Sequence, residues 1–164
     1  MVEDVYIAHY IESLARSISS SKPYYIDNQA RFTKRQSKAN IFPSKPGVYL
    51  ILRYVNLPDI DYTTRGVNTK SPLILYVGRT TSKRSIKARL NDHFSGGKRL
   101  SYQGSQFRKF LYQLCQDHDM VKKILWSDST RIASVVVEEE DQIIEAVENL
   151  AIQIFKPRFN VVGR

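Results

Sequence analysis

The apolar positions of this chain repeat with two different periods. Residues 47–55, "GVYLILRYV", and 72–78, "PLILYVG", are short runs dense in β-branched and aromatic residues. Turn residues bound both, Pro46-Gly47 opening the first, so both predict strands. "RIASVVV" at 131–137 predicts a third. Elsewhere the spacing is three and four. Ile7, Tyr10, Ile11, Leu14 and Ile18 mark an N-terminal helix. Ile86, Leu90 and Phe94 mark a second, capped by Ser82 and ended by Gly96-Gly97. Phe107, Phe110, Leu111 and Leu114 predict a helix over 105–117, and the row from Ile144 to Phe155 predicts one over 141–155, stopped by Pro157. Residues 22–46 carry three prolines, several cations and no period, which reads as an extended arm. Residues 56–70 read as a loop. The expected fold is α+β: a small, mainly antiparallel three-stranded sheet flanked by helices. It divides into an N-terminal helix and basic arm, 1–45, and a main domain, 46–164.

Pairing the first two strands as a hairpin has a chemical consequence. The start of one then lies beside the end of the other, so Tyr49 and Tyr76 become neighbours at the sheet edge. Gly78 follows, where a missing side chain permits close approach. Arg89 and His93, four apart on the next helix, share a face and flank its apolar row. In the last helix Glu148 interrupts the row formed by Ile144, Ala151, Ile152 and Phe155. A partly buried carboxylate there needs a cation, a metal or a hydrogen-bond network. Taken singly, these residues have plainer readings: a strand tyrosine pair is ordinarily packing, and a lone histidine is more often structural, as for His9 and His118.

Charge changes this picture. The 164 residues carry a net +9, which suggests a polyanionic partner. Residues 79–110 hold nine cations (Arg79, Lys83, Arg84, Lys87, Arg89, Lys98, Arg99, Arg108 and Lys109) against one acid, Asp92. Residues 138–148 hold Glu138, Glu139, Glu140, Asp141, Glu145 and Glu148 and no cation. A merely solvated surface would intersperse the two signs. Apart from Arg89, the cations of 79–110 are expected to contact phosphate, which positions a nucleic acid without reading its sequence. The single cysteine, Cys115, excludes an internal disulfide and fits a reducing, cytoplasmic setting. No apolar stretch approaches a membrane span, and the first residues lack the pattern of a signal peptide.

At this point the motifs become familiar. "GVY" at 47–49 and "YVG" at 76–78 resemble the paired signature of the GIY-YIG nucleases. Arg89, His93, Glu148 and the closing "KPRFN" at 156–160 follow in the family's order, with a longer loop between the signatures than the family's usual turn. The resemblance covers residues 47–160. It implies a compact nuclease domain that hydrolyses phosphodiesters with one Mg²⁺ or Mn²⁺ held by Glu148. Arg89 would then stabilise charge on the phosphate, Tyr49 or His93 would be the general base, and Tyr76 would orient water or phosphate. Gly47, Gly78 and Asn160 would be structural. DNA is the expected substrate, cut by a monomer or homodimer, possible roles being restriction or element mobility. Alternatives are a repair or structure-specific nuclease, an RNA nuclease, and a nucleic-acid-binding module without chemistry.

Overall fold

In the computed structural model, residues 2–24, 41–56, 70–94, 104–127 and 129–160 are described. They form α1 (Val2–Ser17), β1 (Lys22–Pro23), β2 (Gly47–Asn56), β3 (Lys70–Arg79), α2 (Ile86–Phe94), α3 (Gln106–Cys115), α4 (His118–Leu125), β4 (Thr130–Val136) and α5 (Asp141–Phe155). The class is α+β. The sheet has four strands rather than the expected three, in the order β1-β4-β2-β3, every pair antiparallel. The additional strand is two residues long, too short to show a period. Its Pro23 is tolerated because β1 lies at the sheet edge.

Each face of the sheet carries its own core. On one, Tyr49, Ile51, Leu75 and Tyr76 pack with Ile86, Leu90 and Phe94 of α2, Phe107 and Leu111 of α3, and Val121 and Leu125 of α4. On the other, Val48, Leu50, Leu52, Ile74 and Val77 pack with Ile11 and Leu14 of α1 and with Ile144, Val147 and Ala151 of α5. The β2–β3 register sets this division. Tyr49 faces Gly78 and Ile51 faces Tyr76, but Leu52 faces Ile74. Leu75 is therefore a bulged residue, and it joins Tyr76 on the same face.

Three local details differ from the pattern-based expectation. Helix α2 starts at Ile86, not Ser82. Its cap is Ser85, whose Oγ accepts from the Ala88 N–H at 3.0 Å. Ser82 belongs to the preceding turn, where its N–H donates to Asp141 Oδ1 at 2.6 Å. The helix expected over 105–117 ends at Cys115, and Gln116 adopts a left-handed conformation with φ of 48°. A further helix, α4, follows. Its signal was the Asp117 cap, which accepts from the N–H groups of Asp119 and Met120, with Val121 and Leu125 buried four apart. Among the described residues no helix is long and apolar enough to cross a membrane.

Candidate functional site

Two glycines shape the end of the sheet where the hairpin strands meet. A Cβ on Gly47 would sit 2.1 Å from the Val135 carbonyl oxygen, and one on Gly78 would sit 2.3 Å from the Tyr49 hydroxyl. Gly47 is tied to Thr80 in both directions: its N–H donates to Thr80 Oγ1 at 2.9 Å, and its carbonyl accepts from the Thr80 N–H at 3.0 Å. The absent side chain at Gly78 lets the Tyr49 ring lie across β3. The ring is fully buried and cannot retreat. Gly78→Ala is thus expected to cost stability in the range of about 1–3 kcal/mol seen for overpacked cores. Combining it with Tyr49→Ala should cost clearly less than the sum of the two single changes. Melting temperatures of the three variants check this, and simple additivity would show that the clash is absent.

Around the Tyr49 hydroxyl the sequence-predicted residues converge. His93 Nε2 is 2.5 Å away. The Tyr76 ring lies 6.5 Å from that of Tyr49, centre to centre, and 5.5 Å edge-on from His93. The charges of Arg89 and Glu148 also act on the Tyr49 phenol, the first favouring its ionised form and the second opposing it. One Arg89 nitrogen, Nη1, donates to Asp92 Oδ2 at 3.1 Å and to the Gly104 carbonyl at 3.0 Å, which fixes the guanidinium. Glu148, nine-tenths buried, comes from α5 on the opposite face. Its Oε2 accepts from Arg79 Nε at 2.8 Å. The buried carboxylate therefore has a cationic partner, supplied by the last residue of β3.

Burial controls the ionisable groups. It pushes the Tyr49 phenol well above its ordinary pKa, aided by Tyr76 and Glu148 and opposed by Arg89. It also holds His93 well below its ordinary value, reinforced by the charges of Arg89, Arg108 and Arg84. For Arg89, burial opposes the charged form, but Tyr49, Asp92 and Tyr76 outweigh it and its pKa rises. His93 is thus a neutral imidazole at pH 7. Its folded pKa lies below its unfolded one, so the unfolded chain binds the extra proton first. The contribution is fully present above about pH 6.5 and is lost as pH falls below it. Urea unfolding from about pH 7.5 down to about pH 5 should show stability falling with acid, and His93→Gln should flatten that slope. An unchanged slope would place the titration elsewhere.

The closing segment works on the free edge of β3. Arg158 and Phe159 donate backbone N–H groups to the carbonyls of Ile74 and Leu75. Asn160 then mimics a strand residue: its Oδ1 accepts from the Val77 N–H and its Nδ2 donates to the Val77 carbonyl, both at 2.7 Å. These bonds fix the residues on either side of Val77, namely Tyr76 and Gly78.

The expected phosphate-contacting cations do not form one uniform surface. Lys83 and Lys109 are exposed. Arg84 pairs with Asp92 at 2.7 Å. Lys87 lines a shallow cleft with Ser44, Ser85 and Asn91. Arg79 reaches Glu148. Arg108 turns inward because it lies on the first turn of α3, one position after the buried Phe107, and its Nε donates to the His93 carbonyl at 2.5 Å. Lys98 and Arg99, the arm beyond Tyr24 as far as Asn40, and residues 57–69 of the loop lie outside the described residues. Sequence reasoning missed Ser105, which bonds His93, and Asp92, which holds Arg84 and Arg89. Their signals were an N-cap serine before an amphipathic run and a single acid in a strongly basic stretch.

The donor set around Glu148 suits only one kind of metal site. Among the described residues no three His, Cys, Asp or Glu side chains cluster. One carboxylate fits a Mg²⁺ or Mn²⁺ ion that keeps most of its water and takes substrate oxygens. It does not fit a stripped, tetrahedral zinc. Comparisons with protein-family models, with curated proteins and with solved structures find no match to this chain.

Proposed function

We propose that this chain is a metal-dependent endonuclease of the GIY-YIG type that hydrolyses DNA phosphodiester bonds. The observation that carries the reading is convergence. Tyr49, Tyr76, Arg89, His93 and Glu148 come from β2, β3, α2 and α5, yet they meet at one end of the sheet. They do so beside exposed cations and in the order of the signature read from the sequence. Packing alone does not require a phenol, a neutral imidazole, a clamped guanidinium and a buried carboxylate together.

Each residue has a task in hydrolysis. Glu148 would hold one Mg²⁺ or Mn²⁺, which when bound supplies Lewis-acid polarisation of the phosphate. Arg89, already oriented by Asp92 and Gly104, donates to the non-bridging oxygens as negative charge builds on them. Water forms the new P–O bond while its proton passes to the Tyr49–His93 pair. The opposite P–O bond breaks, and the leaving oxygen takes a proton from solvent. Tyr76 orients water or phosphate from the neighbouring strand position. Exposed cations such as Lys83 and Lys109 bind the backbone without chemistry.

Supercoiled plasmid incubated with purified protein and Mg²⁺ should be nicked or linearised, and EDTA should prevent it. Parallel reactions on RNA and on branched DNA establish the substrate. Retention of plasmid in a gel shift with no nicking under any of these conditions would support a binding module instead. Size exclusion in the presence of DNA distinguishes a monomer from a homodimer. Sequencing the product ends tells site-specific cleavage, as in restriction or element mobility, from structure-specific cleavage.

A further inference from the structure

The ion pair between Arg79 and Glu148 follows from strand geometry. Arg79 is the last residue of β3, two positions after Val77, so both side chains project to the α5 face of the sheet. Val77 packs there in the core that α5 shares, and Arg79 reaches Glu148. Only one edge of the guanidinium is used. Nε donates to Glu148 Oε2 at 2.8 Å, and among the described residues neither Nη group of Arg79 has a hydrogen-bond partner. The two side chains are unequally buried: 32% of Arg79 is exposed against 11% of Glu148. The cation is therefore the member of the pair that an anion from solvent can reach. The charges of Arg79 and Lys83 both act on Asp141, which places both cations around the turn at Ser82. Lys83 is exposed.

Such a pair has an ordinary structural role, fastening α5 to β3. Its position gives it a second one. Glu148 is the carboxylate assigned to the divalent ion, so a guanidinium and an ion would draw on the same negative charge. Charges act on each other several times more strongly inside a protein than in water. Two cations on one carboxylate repel, and each lowers the affinity of the other. A phosphodiester relieves this, because it offers Arg79 a second anion whose oxygens match parallel N–H groups of a guanidinium. We propose that Arg79 competes with the divalent ion for Glu148 in the free protein, and that the DNA backbone takes over the guanidinium when the ion binds.

This exchange rests on the nuclease reading, which supplies both the ion and the DNA. By linkage the two ligands then favour each other: whichever binds first removes part of the opposition to the second. The site fills completely only with substrate present. Arg79 is in this sense a positioning residue, acting on the chemistry through the carboxylate that it holds and releases.

Two measurements read the exchange without any cleavage. Manganese binding to the free protein, followed by electron paramagnetic resonance, should tighten by about tenfold in Arg79→Gln. Arg79→Lys keeps the charge and should bind close to wild type. Lys109→Gln removes an exposed charge from a different element, α3, and should also leave binding close to wild type. A pair that only fastened α5 to β3 would give the opposite sign, since its loss would loosen the carboxylate and weaken the ion. Unchanged or weaker manganese binding in Arg79→Gln, with a melting curve that shows it folded, overturns the proposal. The second measurement is the salt dependence of DNA binding in EDTA. While Glu148 holds Arg79, that charge releases no counterion from DNA. Glu148→Gln frees it, so the plot of log affinity against log salt should steepen by about 0.9. Adding Arg79→Gln to Glu148→Gln should restore the wild-type slope. An unchanged slope in Glu148→Gln, or equal slopes in the single and double variants, also overturns the proposal. Absence of plasmid cleavage by the wild-type protein, with both measurements as expected, would instead sink the nuclease reading and leave the exchange in place.

Discussion

Glu148→Ala is expected to reduce metal-dependent cleavage by at least about 100- to 1,000-fold, the loss seen when one preorganised group that meets developing charge is removed. Binding of DNA should survive, because the exposed cations Lys83 and Lys109 belong to other elements. The change has a second effect, since Glu148 is also the partner of Arg79. Taking away the carboxylate frees a partly buried guanidinium, so affinity for the phosphate backbone should hold or rise slightly. Glu148→Gln separates the two effects. It preserves the shape and an acceptor for Arg79 Nε, but it lacks the charge that a divalent ion needs. Manganese binding to the free protein, followed by electron paramagnetic resonance, should be lost in both variants while melting curves show intact folding. Cleavage by Glu148→Ala at a near wild-type rate would show that this carboxylate is not the ligand, and the resemblance on which its role rests would fail with it.

The parts of this molecule that were legible in the sequence are those governed by regular spacing. Helix α5 has its expected boundaries because four apolar positions, Ile144, Ala151, Ile152 and Phe155, and a terminal proline agree. Strands β2 and β3 were placed because β-branched and aromatic residues crowd between turn residues. Hairpin pairing of these strands implies that Tyr49 and Tyr76 are neighbours, and their rings are, though Tyr49 is registered with Gly78 and the two tyrosines are diagonal. What escaped was specified by single hydrogen bonds. No periodicity reveals that Ser85 rather than Ser82 caps α2, since both serines precede the same apolar row. The choice is made by tertiary contacts, the N–H groups of Ile86 and Lys87 finding the carbonyls of Lys45 and Pro43. Strand β1 escaped because two residues carry no pattern.

Charge was the least transparent property. The stretch 79–110 reads as one basic surface, yet folding divides it. Arg79 turns to the acidic helix and Arg108 turns into the core. The acidic run 138–148 is likewise fastened to its surroundings: Glu138 pairs with Lys45 at 3.2 Å, Glu139 accepts from the Tyr10 hydroxyl, and Asp141 holds the turn at Ser82. Opposite blocks of charge, far apart in sequence, meet at the end of the sheet. Pairing leaves the net charge of +9 unchanged, but it ties Arg79 to Glu148 at the candidate site. The cations left to meet a polyanion are fewer than composition implies.

The other large effect concerns the proton acceptor. Tyr49→Phe should remove nearly all cleavage, at least about 100-fold, because general-base assistance typically contributes about 10²–10⁴. Phenylalanine keeps the ring that lies across Gly78, so the packing between the strands survives. The lost hydroxyl does leave the buried His93 Nε2 without its partner, which should lower stability by about 1–3 kcal/mol. Melting curves must therefore accompany the rates, and single-turnover cleavage should be measured well below the midpoint. His93→Gln should retain a measurable rate, since its amide can still hydrogen-bond the Tyr49 hydroxyl. The pH dependence supplies an independent sign. Burial holds the phenol's pKa well above its ordinary value, so the reactive oxyanion is scarce at neutrality and grows about tenfold for each unit of pH. The wild-type rate should climb from about pH 6 to about pH 9 without a break near about 6.5, because His93 is neutral throughout that range. If Tyr49→Phe cleaved normally while His93→Gln did not, with a break near neutrality, the histidine would be the base and the tyrosine only its support.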